Sequence, residues 1–97
     1  MAKGYWMSAY REIIDADKLA AYVALAGTAV QNNGGRFLVR GGQMQSKEDA
    51  VAERTVLVEF DSYEQALATY ESPAYQEALK ALDGGVVRDL RIVEGVD

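Results

Sequence analysis

The sequence predicts an α+β fold, a ferredoxin-like βαββαβ protomer on one four-stranded antiparallel sheet. Three observations carry this. Runs rich in aromatic and β-branched residues alternate with helical stripes in the order β-α-β-β-α-(α)-β. Gly34-Gly35 and Gly41-Gly42 close both ends of Arg36-Phe37-Leu38-Val39-Arg40, which therefore reads as a strand between two enforced reversals. Both helical segments connect strands that are not neighbours, which places them on one side of the sheet and leaves the other side bare.

Tyr5 to Tyr10 is short, aromatic and bounded by Gly4 and Arg11-Glu12, and is the first strand. Asp15 supplies an N-cap, and Leu19, Tyr22, Val23, Ala26, Ala29 and Val30 form one apolar stripe on a helix running to about Gln31. Asn32-Asn33-Gly34 stops it, since Asn and Gly accept the left-handed cap conformation. Residues 43–53 are polar and without period, an exposed loop or ragged hairpin end. Arg54 to Phe60 is the third strand, with Val56, Val58 and Phe60 toward the core and Thr55, Leu57 and Glu59 on the other face. Ser62 with Gln65 is a capping box opening a helix striped by Tyr63, Ala66, Leu67 and Tyr70. Ser72-Pro73 starts another turn of helix, lined by Tyr75, Leu79 and Leu82 and ended by Gly84-Gly85. Val86 to Glu94 is the last strand.

Ninety-seven residues make a single domain able to bury about 65% of its unfolded surface. With no cysteine and no histidine, disulfides, thiolate metal sites, Ser-His or Cys-His nucleophile pairs and His-ligated haem or zinc are excluded. We expect no cofactor. The net charge of −5 argues against nucleic acid or an anionic membrane as partner, because both require clustered Lys and Arg. No apolar run reaches signal-peptide or membrane-span length, so cytoplasmic location is the default expectation.

The bare sheet face spans roughly 19 by 20 Å, about 400 Å² in projection, near the largest apolar patch a monomer exposes. Face-to-face homodimerisation would cover it with a second copy of itself. By strand parity Arg36, Leu38 and Arg40 share this face, while Phe37 and Val39 turn to the helices. Guanidinium groups beside a cavity could hold a carboxylate or enolate, or could instead form ion pairs within the sheet or across the dimer. Glu59, on the same face, is a candidate proton-transfer group if burial raises its pKa, or else the neutralising partner of Arg40. Trp6, sharing a strand face with Ser8 and Tyr10, is expected on the bare face and is a candidate for lining a ligand cavity or the dimer interface. Tyr10, Tyr63, Tyr70 and Tyr75 could donate to an oxyanion, although packing is the stronger expectation for Tyr63 and Tyr70. The glycine pairs frame a strand rather than opening a helix, so they are no phosphate loop, and the carboxylates match no calcium loop.

Lys3-Gly4-Tyr5-Trp6, the stretch from Gly34 to Gly42, Glu59-Phe60-Asp61-Ser62 and Ser72-Pro73-Ala74-Tyr75-Gln76 together resemble the successive signatures of the domain-of-unknown-function family 1330. That resemblance spans almost the whole chain and implies a dimeric α/β barrel, in which two ferredoxin-like protomers pack sheet to sheet. It implies no particular activity. The sequence departs from the family pattern at Asp61 and Ala74, and both helix caps survive, since Ser62 and Ser72 are present.

The reading that follows is of a homodimer that binds or turns over a small anionic or enolisable organic molecule without a cofactor. Arg40 and Arg36 would anchor it, Trp6 and Tyr10 would line the site, and Glu59 would serve as base. The alternative is a non-catalytic homodimer whose charges on the sheet face are interface salt bridges.

Overall fold

The computed structural model describes residues 2–97. Seven elements follow in order: β1 (Gly4–Ile13), α1 (Ala16–Asn32), β2 (Arg36–Arg40), β3 (Thr55–Phe60), α2 (Tyr63–Glu71), α3 (Pro73–Leu82) and β4 (Val86–Glu94). The strands form one antiparallel sheet in the order β2-β3-β1-β4, the ferredoxin-like arrangement.

Local signals set the helices. The Asp15 carboxylate accepts from the backbone N–H groups of Asp17 and Lys18 and so caps α1. Ser62 Oγ accepts from Gln65 N at 3.1 Å, but the return half of the expected capping box is missing. The Gln65 side-chain amide instead donates to the Asn33 carbonyl and ties α2 to the end of α1. Ser72 closes α2 and caps α3, with Pro73 at its first position. The stop of α1 also differs from expectation: Asn33 keeps a negative φ of −100°, and Gly34, at φ 84°, makes the left-handed turn.

All three helices lie against one face of the sheet. Across the strands, Phe37, Val58, Trp6 and Ile92 form one inward row, and Phe60 ends β3 fully buried. Trp6 packs among Phe60, Tyr70 and Tyr75, with ring centroids 4.8 to 5.9 Å apart, and its indole N–H donates to the Ala66 carbonyl at 2.9 Å. Burying an aromatic side chain such as Phe60 is worth about 1.5–3 kcal/mol, so this cluster is the main apolar anchor of α2 and α3. Trp6, Ser8 and Tyr10 thus face the helices, which corrects the expectation that Trp6 belongs to the uncovered face.

Two β-bulges decide which side chains meet. In β2 the pairing runs Arg36 with Glu59 and Phe37 with Val58, then skips Leu38 and resumes with Val39 opposite Leu57 and Arg40 opposite Val56. An inserted residue reverses the alternation beyond it. Arg36 and Val39 therefore lie on the bare face, whereas Arg40 turns toward the helices. The expectation that both arginines share one face fails for this reason. In β1 the register shifts between Tyr10 and Glu12, and the strand continues to Ile13 rather than ending at Tyr10.

Candidate functional site

The helix side of the sheet opens into a cleft beneath α1. One row of its floor is Arg40, Val56, Ser8 and Leu90 across the four strands. The next row holds Tyr10 opposite Arg88, with Arg54 beside Tyr10, whose N–H donates to the Arg54 carbonyl at 2.9 Å. The roof is α1, through Tyr22, Ala26 and Gly27. About 440 Å³ of empty space lies in the cleft, counted out through its open mouth. Within it, ≈ 40 Å³ is open to the centres of water molecules, enough to admit ordered water or a small ligand.

Three arginines reach into this space. The Arg88 guanidinium donates through Nη1 to the hydroxyls of Tyr10 and Tyr22 and through Nη2 to that of Tyr75, each at 3.1 Å. It also lies 4.9 Å from the Tyr22 ring centroid. Burial disfavours the Arg88 cation, but its contacts with the Tyr22 and Tyr75 oxygens more than offset this, so the group stays charged. Arg40 stacks over Phe37, with Cζ 4.1 Å from the ring centroid. Its guanidinium fits against α1 because residue 27 is glycine: a Cβ there would stand 2.6 Å from Nη2. Arg54 completes the set.

No salt bridge engages Arg40, Arg54 or Arg88 among the described residues. The other polar side chains lining the cleft, Ser8, Tyr10 and Tyr22, also offer donors, and Tyr75 is fully buried beside Tyr22. The Tyr22 and Tyr75 hydroxyls share one hydrogen bond of 2.6 Å, which uses one phenolic proton of the pair. The Tyr10 hydroxyl accepts from Arg88, and its own proton meets no acceptor among the described residues. Ser8 Oγ, in a residue 5% exposed, and Arg54 Nε are buried without a hydrogen-bond partner among the described residues. Burial, the largest influence, together with the neighbouring Tyr22 outweighs the opposing charge of Arg88 and pushes the Tyr75 phenol above its ordinary range, so it stays protonated. The cleft is an array of donors and positive charge in a chain of net charge −5.

The remaining sequence-predicted residues lie elsewhere. Arg36 and Glu59 are on the bare face, where Arg36 Nη2 stands 3.1 Å from Glu59 Oε1 and 3.0 Å from Asp61. The Tyr5 hydroxyl donates to the same carboxylate at 3.1 Å, and Lys3 stands 4.0 Å away. Desolvation pulls the Glu59 pKa up, but the hydrogen bonds from Arg36 and Tyr5 and the nearby charges hold it below its ordinary value. Glu59 is thus ion-paired with Arg36 rather than Arg40, carries no raised pKa, and lies across the sheet from the cleft. Of the expected site residues, the structure brings together Arg40, Trp6 and Tyr10 and separates Arg36 and Glu59 from them.

Arg88, Arg54 and Tyr22 went unnoticed as site residues in the sequence. Arg88 had a readable signal: Val86, Leu90 and Ile92 alternate inward along β4, and Arg88 is in phase with them. Tyr22 lay in the α1 stripe, where nothing separates a lining phenol from a packed one.

The same architecture recurs in solved structures. A protein of unknown function from Rhodopseudomonas palustris superposes with a TM-score of 0.75 at 17% identity, covering 99% of this chain and 84% of that one. A candidate antibiotic biosynthesis monooxygenase from Caulobacter crescentus matches with a TM-score of 0.59 at 14% identity, over 99% and 91% of the two chains. Another from Nitrosomonas europaea gives 0.56 at 20% identity, over 98% and 90%. At these identities the likeness concerns the fold. No curated protein sequence matches the chain. The family model described as domain of unknown function (DUF1330) matches residues 3–96, and with the ferredoxin-like sheet and three helices in place, the chain belongs to that family.

Proposed function

We propose that this protein binds a small organic anion in the cleft between α1 and the sheet. The observation that carries the reading is chemical asymmetry. Arg40, Arg54 and Arg88 converge there without a carboxylate, and Ser8, Tyr10 and the tyrosine pair add donors in excess of acceptors. Arg54 and Arg88 are partly buried cations without a counter-ion, which is costly, while Arg40 is exposed; an incoming carboxylate or enolate oxygen would satisfy both the charge and the free protons. The cleft offers no histidine or carboxylate as base, so its residues hold an anion and stabilise negative charge on it.

Titration of the protein with small carboxylic acids, in buffer free of phosphate and sulfate, tests this. Trp6 lines the cleft and supplies the signal. Saturable changes in its fluorescence with a rise in melting temperature, both lost in Arg40→Ala, are expected. Absence of any response across the acids would overturn the reading.

A second copy of the chain is the occupant we propose for the bare face. Met7, Leu57 and Val39 form its apolar centre, with Arg36 and Glu59 toward one end and Arg11 and Asp89 toward the other. A twofold axis can lay such a mixed-sign face on itself without juxtaposing like charges. Sedimentation is expected to show a dimer that Leu57→Asp dissociates; a wild-type monomer at high concentration would refute it.

A further inference from the structure

We infer that the cleft selects a short dicarboxylate, held at one end by Arg88 and Tyr10 and at the other by Arg40 and Arg54. This rests on the anion-binding reading above and adds the number and spacing of the charges. Three guanidinium groups face the space with no acid among them, so a monoanion would leave most of the positive charge uncompensated.

The cations are also spread out. Arg40 on β2 and Arg88 on β4 belong to the two edge strands, with β3 and β1 between them. Three inter-strand spacings separate their backbones laterally by about 14 Å. Arg40 is held against Phe37 and Gly27, and Arg88 against the hydroxyls of Tyr10, Tyr22 and Tyr75, so the two guanidinium groups keep to separate ends of the cleft. What remains between their guanidinium groups suits two carboxylates joined by a short carbon chain better than a single one.

The unused hydrogen-bonding capacity is distributed in the same way. The free proton of Tyr10 sits at the Arg88 end, the unpartnered Nε of Arg54 belongs to the opposite side, and Ser8 Oγ on the central strand β1 lies between the two. Ser8 is only 5% exposed, so its hydroxyl has no bulk solvent to turn to. The inner cleft is small, with ≈ 40 Å³ open to the centres of water molecules, which suits a diacid of few carbons. No bond is made or broken in this recognition.

Calorimetric titration of the full chain with malonate and succinate, against acetate and propionate at constant ionic strength, tests the inference. The diacids are expected to bind at least about tenfold more tightly than the monoacids, the advantage of a second charge-assisted contact. Arg88→Met is expected to bring the two classes within about twofold of each other while monoacid binding persists at the Arg40 end. Tyr10→Phe, which keeps the packing, should reduce diacid affinity by about fivefold and serves if the arginine variant fails to fold. If monoacids bind as tightly as diacids, the two-ended recognition is overturned and the anion cleft stands. If no acid of either class binds, both fall.

Discussion

Two phenols that touch the same arginine should respond very differently to loss of their hydroxyls. Tyr75→Phe removes the 2.6 Å bond to Tyr22 and the bond from Arg88 Nη2. A neutral hydrogen bond contributes about 1 kcal/mol net and one to a charged group about 1.5–3, so the cost should be about 2–4 kcal/mol. Tyr10→Phe loses only the bond from Arg88 Nη1 and also removes a buried proton that has no acceptor. Relief of that proton offsets much of the lost bond, leaving a cost of about 0–1 kcal/mol. Since 1 kcal/mol shifts the melting temperature of a domain this size by about 4–8 °C, Tyr75→Phe should melt roughly 8–32 °C lower than wild type and Tyr10→Phe no more than about 8 °C lower. Thermal melts followed by near-UV circular dichroism in an anion-poor buffer read this directly. Equal losses in the two variants would mean that the Tyr10 proton has an internal acceptor, and the donor surplus of the cleft would then be wrong.

Gly27→Ala should separate folding from binding: alanine improves helix propensity by about 1 kcal/mol, while its Cβ displaces the movable tip of Arg40. Unchanged or higher melting temperature with several-fold weaker anion binding is expected by calorimetry, and undiminished affinity would show that Arg40 does not act from its berth against α1. On the other face, Glu59 has a pKa held below its ordinary 4.5, so it contributes stability that is present above that pH and is lost as pH falls through the folded value. Acid titration of stability should therefore flatten below pH 4.5 in Arg36→Ala relative to wild type, and an identical acid limb would show that the Arg36 pair does not stabilise the carboxylate.

The element order was legible because each boundary has a local chemical marker. Asp15, Ser62 and Ser72 cap their helices as their positions imply, and Gly34 and Gly41 adopt the positive φ values that frame β2. The inward set of β3 was readable for the same reason, since Val56, Val58 and Phe60 are all bulky and all buried. The faces of β2 were not readable. Parity assumes an uninterrupted ladder, and the bulge at Leu38 is set by how β2 meets β3, with no marker in Arg36-Phe37-Leu38-Val39-Arg40 itself. Trp6 was misplaced for a related reason: alternation states which residues share a face, but only the helices decide which face is covered. The cleft drew on both failures. Its cations come from β2, β4 and the residue just before β3, and their convergence depends on a bulge that turns Arg40 inward and on a register that sets Arg88 against Tyr10.

The central claim is that an anion sits among Arg40, Arg54 and Arg88, and the side-chain Nε–H resonances of the arginines test it most directly. On titration of ¹⁵N-labelled protein with malonate, the Nε–H signals of Arg54 and Arg88 should shift in a saturable way with one affinity, Arg54 most because its Nε starts without a partner. Arg36 and Arg11, paired with carboxylates on the opposite face, should stay in place. Shifts confined to the surface arginines, or none at saturating malonate, would contradict the account.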